Sequence, residues 1–366
     1  MPVSPDHQHA NGEIDIASLH AQDSTGLLAR IDRAVVWDIP LTTPFRGITR
    51  RDGVLLHGPG GWGEVAPFWD YGLEASAPWL ASGLCQALGN SLLPRYRETI
   101  SVNVTVPEVG AQDASDLVRA SGARTAKVKV SGRSDKRSVD LERLEAVRSA
   151  LGRSGKVRID VNGAWDLDTA RENLPLMDRA AGGLEYAEQP CATVYDLADL
   201  RRAVDVPIAA DESIRLSANP LEIVHRRAAD VAILKVAPLG GVHRALDMAE
   251  RLGLPAVVSS ALDTSVGIMA GATLAFSLPS LNHACGLGTT RLLTQDVAEP
   301  SVRPSNGTLR LDAAAPVSER LLNEVKAGPY LTTHWQTRLL HLAGALHARR
   351  QREARDPSRA VAGLPL

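Results

Sequence analysis

Six charged residues lie within or directly after short runs of apolar and β-branched residues. The runs read AKVKV, RIDVN, EYAEQP, AADES and ILKV, and the charged positions are Lys127, Lys129, Asp160, Glu188, Asp211 and Lys235. Buried strands carry few charges, because a charge withdrawn from water is costly unless it is paired or bound to a metal. Successive runs are about one strand–helix unit apart, so the six charges are predicted to meet at one end of a parallel sheet.

The three carboxylates predict a metal site. Asp160, Glu188 and Asp211 would converge from neighbouring strands, where bare carboxylates repel one another and take up protons. A hard divalent cation removes that repulsion, and all-oxygen ligation with open positions suits Mg²⁺, with Mn²⁺ as the alternative. The competing interpretation is three strand-end caps or salt bridges to nearby arginines.

The lysines predict proton transfer. Lys127 and Lys129 are two positions apart on one strand and therefore point to the same face. Adjacent ammonium groups and a metal ion lower a lysine's pKa, which makes it a base near neutral pH. Lys235 would face a bound substrate from across the barrel. Together these groups predict removal of a proton next to a carboxylate, whereas the plainer interpretation has the lysines only neutralising the carboxylates.

Seven short β-branched runs between residues 101 and 262 alternate with amphipathic segments such as SVDLERLEAVRSALG. That rhythm predicts βαβ units in a parallel sheet, and seven or eight units in a row favour a TIM-type barrel. A doubly wound open sheet is less favoured, because no GxGxxG follows the first strand.

Five regions are predicted from these patterns. A flexible N-terminal extension covers residues 1–24, and an α+β domain with two or three strands and a helix covers 25–98. The barrel with the active site covers 99–290. A C-terminal segment that completes the first domain covers 291–330, and a basic tail, helical or disordered, covers 331–366.

Composition excludes several partner classes. A net charge of -2 gives no case for nucleic acid, and an aromatic share of 4% gives none for a base-stacking surface. The N-terminus lacks a secretory signal, and no apolar run is long enough to span a bilayer. Cys85, Cys191 and Cys285 are widely spaced and odd in number, which favours a reduced cytoplasmic setting. A small-molecule carboxylate is the predicted partner, and the oligomeric state stays open.

The motifs AKVKV, RIDVNGAW, EYAEQP, AADES and ILKVAPLGG together resemble the enolase superfamily, muconate-lactonising subgroup, over about residues 27–320. The resemblance implies a (β/α)₇β barrel with a capping domain. The stretches FRGITRRDG, GWGEVAPFWDYG, SVNVTVP, SSALDTSVGI and ACGLGTT most resemble the actinobacterial dehydratases of menaquinone biosynthesis. Their implied reaction converts 2-succinyl-6-hydroxy-2,4-cyclohexadiene-1-carboxylate to o-succinylbenzoate.

The resemblance implies a role for each site residue. Lys129 would be the base and would also protonate the departing hydroxide, while Lys235 would lie over the substrate ring as a cation–π partner and stabilise the enediolate. The three carboxylates would bind Mg²⁺. The implied substrate-binding or supporting residues are Lys127, Arg158, Asn162, Ser259, Ser260 and Gly286. Phe45, Arg46 and Gly47 would form a loop that closes over the substrate.

Three alternative functions are compatible with the same residues. An N-acylamino-acid racemase needs the same two lysines on opposite faces, and a muconate-type cycloisomerase shares the scaffold. A non-catalytic barrel would predict erosion of charged positions, yet all six are present. The late strands carry no histidine–aspartate pair and no DxD motif, which disfavours mandelate-racemase and dipeptide-epimerase chemistry. His283 is expected to be a packed or solvated histidine rather than a catalytic one.

Overall fold

The computed structural model describes residues 11–89, 93–310 and 316–355. Its N-terminal part is an antiparallel sheet with helices packed against it. Its strands pair in the order β1-β2-β3. Consecutive apolar residues are buried along the first two strands. Alternate residues pack into two separate apolar clusters, so both faces of the sheet are covered. The elements of this capping domain are α1 (Ile16–Gln22), β1 (Arg33–Phe45), β2 (Ile48–Gly58), β3 (Gly61–Val65) and α2 (Leu73–Leu88).

The β-branched runs that follow form a seven-stranded parallel sheet whose strands pair in chain order. Helices cover its outer face, and the apolar residues between the two layers make one continuous core. After β4 (Thr99–Ser101), the elements are β5 (Val104–Val106), α3 (Ala111–Ser121), β6 (Thr125–Lys129), α4 (Arg137–Leu151), β7 (Lys156–Asp160), α5 (Leu167–Ala181), β8 (Leu184–Glu188), α6 (Val194–Ala203), β9 (Ile208–Ala210), α7 (Glu212–Arg215), α8 (Glu222–His225), β10 (Val231–Lys235), α9 (Val236–Leu239), α10 (Val242–Leu252), β11 (Ala256–Ser259) and α11 (Ser265–Ser277).

Two residues close the sheet into a ring. Cys285 pairs in parallel with Val102, just before the first strand of the sheet, and Gly286 pairs with Ser259 on the last strand. The backbone hydrogen bonds Asn103 N to Cys285 O (2.9 Å) and Gly286 N to Val258 O (2.8 Å) hold the closure. The predicted (β/α)₇β barrel is therefore confirmed, and the open doubly wound sheet is excluded.

The remaining described elements pack against both the barrel and the capping domain. β12 (Thr308–Arg310) pairs antiparallel with β4 beside the barrel. α12 (Glu319–Glu324) is short, and α13 (Pro329–Arg355) is a long terminal helix. Within the described residues, no helix is long and apolar enough to cross a membrane.

The predicted basic tail is a structural part of the capping domain as far as residue 355. Trp335 and Leu339 on α13 are fully buried in the same apolar core as Leu56 and Leu84 of the capping domain. The helical alternative is thus the observed one. The helix packs on the capping domain because its apolar residues recur at helical spacing and so share one face. Residues 356–366 lie outside the described residues.

The predicted flexible extension also differs from the structure where it is described. Residues 16–22 form α1, and the Asp15 side chain caps its N-terminus by accepting hydrogen bonds from the Ala17 and Ser18 amides. Leu19 is fully buried and Ile14 nearly so, both in the capping domain's core. Burial of these two side chains explains why this polar segment is ordered. Residues 1–10 lie outside the described residues.

Candidate active site

Strand register brings the predicted charges together at the carboxyl ends of the strands. Lys129 pairs directly with Asp160, and Asp160 pairs with Glu188. Asp211 follows the last residue of β9, and Lys235 ends β10 opposite Ser259. The later charges lie further along their strands than the first three, which matches the stagger that a tilted, closed barrel imposes.

The lysines and carboxylates form a buried network of ion pairs. Lys127 Nζ lies 2.8 Å from Asp160 Oδ2 and 2.6 Å from Glu188 Oε1. Lys129 Nζ also contacts Asp160 Oδ2, and Lys235 Nζ lies 2.6 Å from Asp211 Oδ2. The side chains of Asp160, Glu188 and Asp211 are at most 1% exposed. Charges withdrawn from water to this degree require such partners.

The chemistry of the carboxylates fits a divalent cation. Burial and the charges of Asp160 and Asp211 raise the pKa of Glu188 to about 7, and its Oε2 atom is buried without a hydrogen-bond partner. Although burial alone would raise them, the pKa values of Asp160 and Asp211 are held low by neighbouring cations, chiefly Lys127 for Asp160 and Arg215 for Asp211. An unpaired oxygen beside two ionised carboxylates is a suitable ligand set for a hard cation.

In the present arrangement the lysines occupy the space between the carboxylates. Among the residues that the structure describes, no group of three or more His, Cys, Asp or Glu side chains is arranged to hold a metal ion as it stands. Lys127 bridges two of the three predicted ligands. Metal binding would therefore require these lysine head groups to move aside.

The two lysines of β6 differ in their electrostatics. Burial and the charge of Lys127 hold the pKa of Lys129 below its usual value, despite the opposing effect of Asp160. Burial would also lower the pKa of Lys127, but the charges of Asp160 and Glu188 together outweigh burial and raise that pKa above its usual value. We expected each lysine to lower the pKa of the other. The pKa of Lys129 is lowered, but that of Lys127 is raised, so Lys127 stays protonated.

The network opens into a cavity between the barrel and the capping domain. Phe45 and Arg46, from the predicted closing loop, lie in its wall, and the Lys129 ammonium is 5.4 Å from the centre of the Phe45 ring. The predicted residues that line the cavity are Lys127, Lys129, Asp160, Asn162, Lys235, Ser259, Ser260 and Gly286. Sequence reasoning missed Phe68, Trp79, Thr105, Arg215 and Pro238, which also line it.

Arg215 is the missed residue most tightly joined to the network. Its guanidinium lies 2.9 Å from Asp211 Oδ1 and 2.8 Å from Glu212 Oε1, and it donates to the Tyr71 hydroxyl at 2.7 Å. Arg215 comes four residues after Asp211, so the two side chains share one face of α7. The motif AADESIR carried this signal, because a basic residue at that spacing pairs with the carboxylate.

Asn162 and Gln189 follow the ends of two strands in left-handed backbone conformations, with φ of 52° and 41°. Lys129 Nζ donates to Asn162 Oδ1 at 2.6 Å. Gln189 Oε1 accepts from the Asp211 amide at 2.9 Å. Such conformations are unfavourable for residues other than glycine and cluster where packing holds functional groups in place. Gln189, a neighbour of Glu188, is a positioning residue that the sequence did not single out.

Gly286 differs in part from its predicted role. Its N–H, expected to contact the substrate, instead donates to Val258 O in the barrel closure, and its carbonyl accepts from the Ser260 hydroxyl at 2.6 Å. A Cβ at this position would lie 2.5 Å from Ser259 Oγ. The glycine therefore leaves room for the Ser259 side chain on the neighbouring strand.

Arg158 lies beneath the cavity and not in its wall. It is fully buried, pairs with Glu185 at 2.6 Å and donates to Ala284 O at 2.8 Å. A bulge in β8 between Leu184 and Tyr186 turns Glu185 towards it. The prediction of direct substrate contact is thus corrected to a supporting position one layer below Asp160. His283 Nδ1 lies 2.9 Å from Glu185 Oε1 in the same layer, as expected for a packed histidine.

Comparisons with known proteins agree with this fold and site. Residues 110–316 match the family model "Enolase C-terminal domain-like", and residues 36–87 match "Enolase N-terminal domain-like". Because the first match covers more than half of the chain, and the second falls on the capping domain, the chain belongs to the enolase superfamily.

Two curated relatives are similar over most of their length. The o-succinylbenzoate synthase of Thermobifida fusca (strain YX) is 52% identical over 305 residues, which is 82% of this chain and 93% of the relative. The o-succinylbenzoate synthase of Mycobacterium ulcerans (strain Agy99) is 47% identical, over 84% of this chain and 93% of the relative. Identity at this level over nearly whole chains places the protein in the o-succinylbenzoate synthase family.

Solved structures share the architecture at lower identity. The N-succinyl Arg/Lys racemase of Bacillus cereus superimposes with a TM-score of 0.69 at 21% identity, over 81% of this chain and 97% of that one. The muconate lactonizing enzyme of Pseudomonas fluorescens gives 0.68 at 22% identity, over 80% and 98%. At these identities the likeness establishes the barrel and cap alone.

Proposed function

We propose that this protein dehydrates 2-succinyl-6-hydroxy-2,4-cyclohexadiene-1-carboxylate to o-succinylbenzoate in menaquinone biosynthesis. The observation that carries the proposal is a cavity lined by Lys129, Lys235 and Asp160. The buried carboxylates Glu188 and Asp211 belong to the ion-pair network beside it. The family membership agrees with it. The enzyme is then a carbon–oxygen lyase, because it breaks the bond between the ring and the hydroxyl group.

Lys129 is the group proposed to move the proton. Its lowered pKa favours the neutral amine, which takes the proton from the ring carbon that bears the carboxylate. The same nitrogen, now an ammonium, gives that proton to the departing hydroxide as the carbon–oxygen bond breaks. Water leaves and the ring becomes aromatic. One residue suffices for both steps when the proton and the hydroxyl depart from the same face.

Asp160, Glu188 and Asp211 would hold the divalent cation, with Mg²⁺ preferred and Mn²⁺ as the alternative. When bound, the cation would neutralise the negative charge that develops on the substrate carboxylate as the proton departs. Lys235, on the strand across the barrel, stabilises the same charge from the other side of the ring. Before the cation binds, Lys127 favours the ionised forms of Asp160 and Glu188 through its contacts at 2.8 and 2.6 Å.

The capping domain supplies the apolar part of the site. Phe45, Phe68 and Trp79 line the cavity opposite the charged strand ends. Aromatic walls suit a six-membered unsaturated ring and exclude water from the reacting carbons. A cytoplasmic location belongs to the same proposal, since Cys85, Cys191 and Cys285 are all free and buried.

The decisive experiment is turnover of the cyclohexadiene by the purified full-length protein, with Mg²⁺ and with excess EDTA. We expect loss of diene absorbance and formation of o-succinylbenzoate, identified by chromatography, only while the metal is available. Absence of o-succinylbenzoate with Mg²⁺ present would end the proposal.

Racemisation of an N-acylamino acid is the second candidate, favoured by the placement of Lys129 and Lys235 on β6 and β10, with three strands between them in the ring. In that reaction one lysine removes the proton and the other returns one to the opposite face. The two functions separate in Lys235→Ala, which should abolish racemisation completely. Dehydration needs no second proton donor, so it should fall in rate without losing its acid–base chemistry.

A further inference from the structure

The loop between β11 and α11, residues 260–264, forms one wall of the cavity through Ser260, Ala261 and Leu262. Leu262 holds a left-handed backbone conformation with φ of 60°. This conformation is unfavourable for a leucine and persists only when its surroundings fix it. The groups that fix this loop come largely from the capping domain.

Arg51 on β2 is the first of these groups. Its guanidinium donates to Ala66 O in the capping domain and, at 3.4 Å, to Ala261 O in the loop. It also lies 4.1 Å from the centre of the Phe68 ring, another part of the cavity wall. Arg51 is only 1% exposed, so one buried cation joins two walls of the cavity.

Glu64 on β3 is the second. Its carboxylate accepts hydrogen bonds from the Thr264 amide at 3.2 Å, from the Thr264 hydroxyl, and from the Gly267 amide at 2.9 Å. A side chain of the capping domain therefore caps the first turn of barrel helix α11, where unpaired amides and the helix dipole favour negative charge. Glu64 is 4% exposed, and burial together with the neighbouring Asp263 raises the pKa of its carboxyl group to about 8, although the hydrogen bonds from Thr264 favour the charged form.

Stabilisation of the contact between the two domains does not explain why these charged residues are buried there. Buried charged and polar groups contribute little net stability compared with well-packed apolar residues, even when they are hydrogen-bonded. What they do supply is a defined geometry for the groups that they touch. Here those groups are the Ala261 carbonyl, the Phe68 ring and the amides of Thr264 and Gly267. Ala261 and Phe68 line the cavity.

We propose that Arg51 and Glu64 are positioning residues that hold the β11–α11 loop and Phe68 in the geometry that binds substrate. The inference rests on the proposed dehydration. Neither side chain takes part in proton transfer, since the reacting lysines lie on β6 and β10. Loss of either should therefore weaken binding of substrate more than it slows the chemical step.

The test compares Arg51→Met with Arg50→Met in the full-length protein. Arg50 is the next residue on the same strand, but its side chain is 52% exposed and pairs with Asp38. We expect Arg51→Met to raise KM for the cyclohexadiene about tenfold with less than a threefold fall in kcat, and Arg50→Met to match the wild type. A partly unfolded variant would instead lower kcat through loss of active protein and leave KM unchanged. Unchanged KM in Arg51→Met would overturn the inference.

Two further measurements keep the proposal testable if Arg51→Met does not fold. Arg51→Lys retains the charge and should recover much of the lost affinity. Glu64→Gln keeps one acceptor oxygen, and hydrogen–deuterium exchange of the Thr264 and Gly267 amides should become at least tenfold faster in it. Unchanged exchange at both amides would contradict the role of Glu64. Hydrogen–deuterium exchange does not depend on turnover, so it tests the role of Glu64 separately. An inactive wild-type protein would instead refute the proposed dehydration.

Discussion

Lys129 is the single side chain whose loss should cost the most activity. Lys129→Ala removes the proposed base but no apolar contact of the core, so kcat should fall about a thousandfold or more while the circular dichroism spectrum is retained. Lys136→Ala is the control, because Lys136 is an exposed lysine in the turn after the same strand. Near wild-type turnover by Lys129→Ala would rule out this lysine as the base.

Asp211 tests the metal site separately from proton transfer. Asp211→Asn removes one proposed ligand charge and leaves Lys235 without its carboxylate partner, whereas Arg215 keeps its ion pair with Glu212. Mg²⁺ affinity measured by calorimetry should fall at least tenfold. Asp205→Asn changes an exposed carboxylate just before the same strand and should leave affinity unchanged. Equal affinities for both variants would count against the three-carboxylate site.

The barrel is closed by Cys285 and Gly286, two paired residues in the place of an eighth strand. In Gly286→Ala the new methyl group would lie 2.5 Å from Ser259 Oγ and 3.2 Å from Ser259 Cβ, so the serine hydroxyl must rotate away and the strand and loop must still give slightly. Overpacking of this kind costs about 1–3 kcal/mol in free energy of unfolding, measurable by urea denaturation. Gly328→Ala is the matched control, because no atom lies within 4 Å of its added Cβ. Equal stability of the two variants would show that closure tolerates the methyl group.

Helix α13 is expected to stabilise the capping domain through its buried face. Trp335 is fully buried, and its Nε1 donates to Asp52 Oδ1 at 2.7 Å. Trp335→Ala should therefore lower the free energy of unfolding by about 3–5 kcal/mol. Tyr330, on the same helix, is 78% exposed, and Tyr330→Ala should have little effect. A small loss in Trp335→Ala would mean that the helix contributes little to the cap.

At the scale of the whole molecule, metal binding and folding should be linked. The folded protein gathers three carboxylates that the unfolded chain keeps apart, so a cation binds the folded state preferentially. Mg²⁺ at a hundred times its Kd should add about 2.7 kcal/mol to the free energy of unfolding. The thermal midpoint of the wild type should rise with Mg²⁺ concentration, and that of Asp211→Asn should rise far less. A midpoint independent of Mg²⁺ in the wild type would oppose the metal site.

The sequence by itself determined the barrel and the chemistry of its charged strand ends. Parallel strands that follow one another in the chain also lie side by side, and alternate residues share a face. These two regularities are local, so they place Lys129, Asp160 and Glu188 in one row without knowledge of packing. Structure then confirmed that row through direct pairing of the three residues.

Tertiary structure alone decided which polar residues reach the cavity and which lie beneath it. Arg158 shares a strand face with Asp160, but an ion pair with Glu185, made possible by a bulge, holds it one layer deeper. Arg51 comes close to the β11–α11 loop, more than two hundred positions away in the chain, only through the docking of the two domains. Contacts this distant in sequence leave no periodic pattern, and a buried charge takes its direction from partners that only the folded chain assembles.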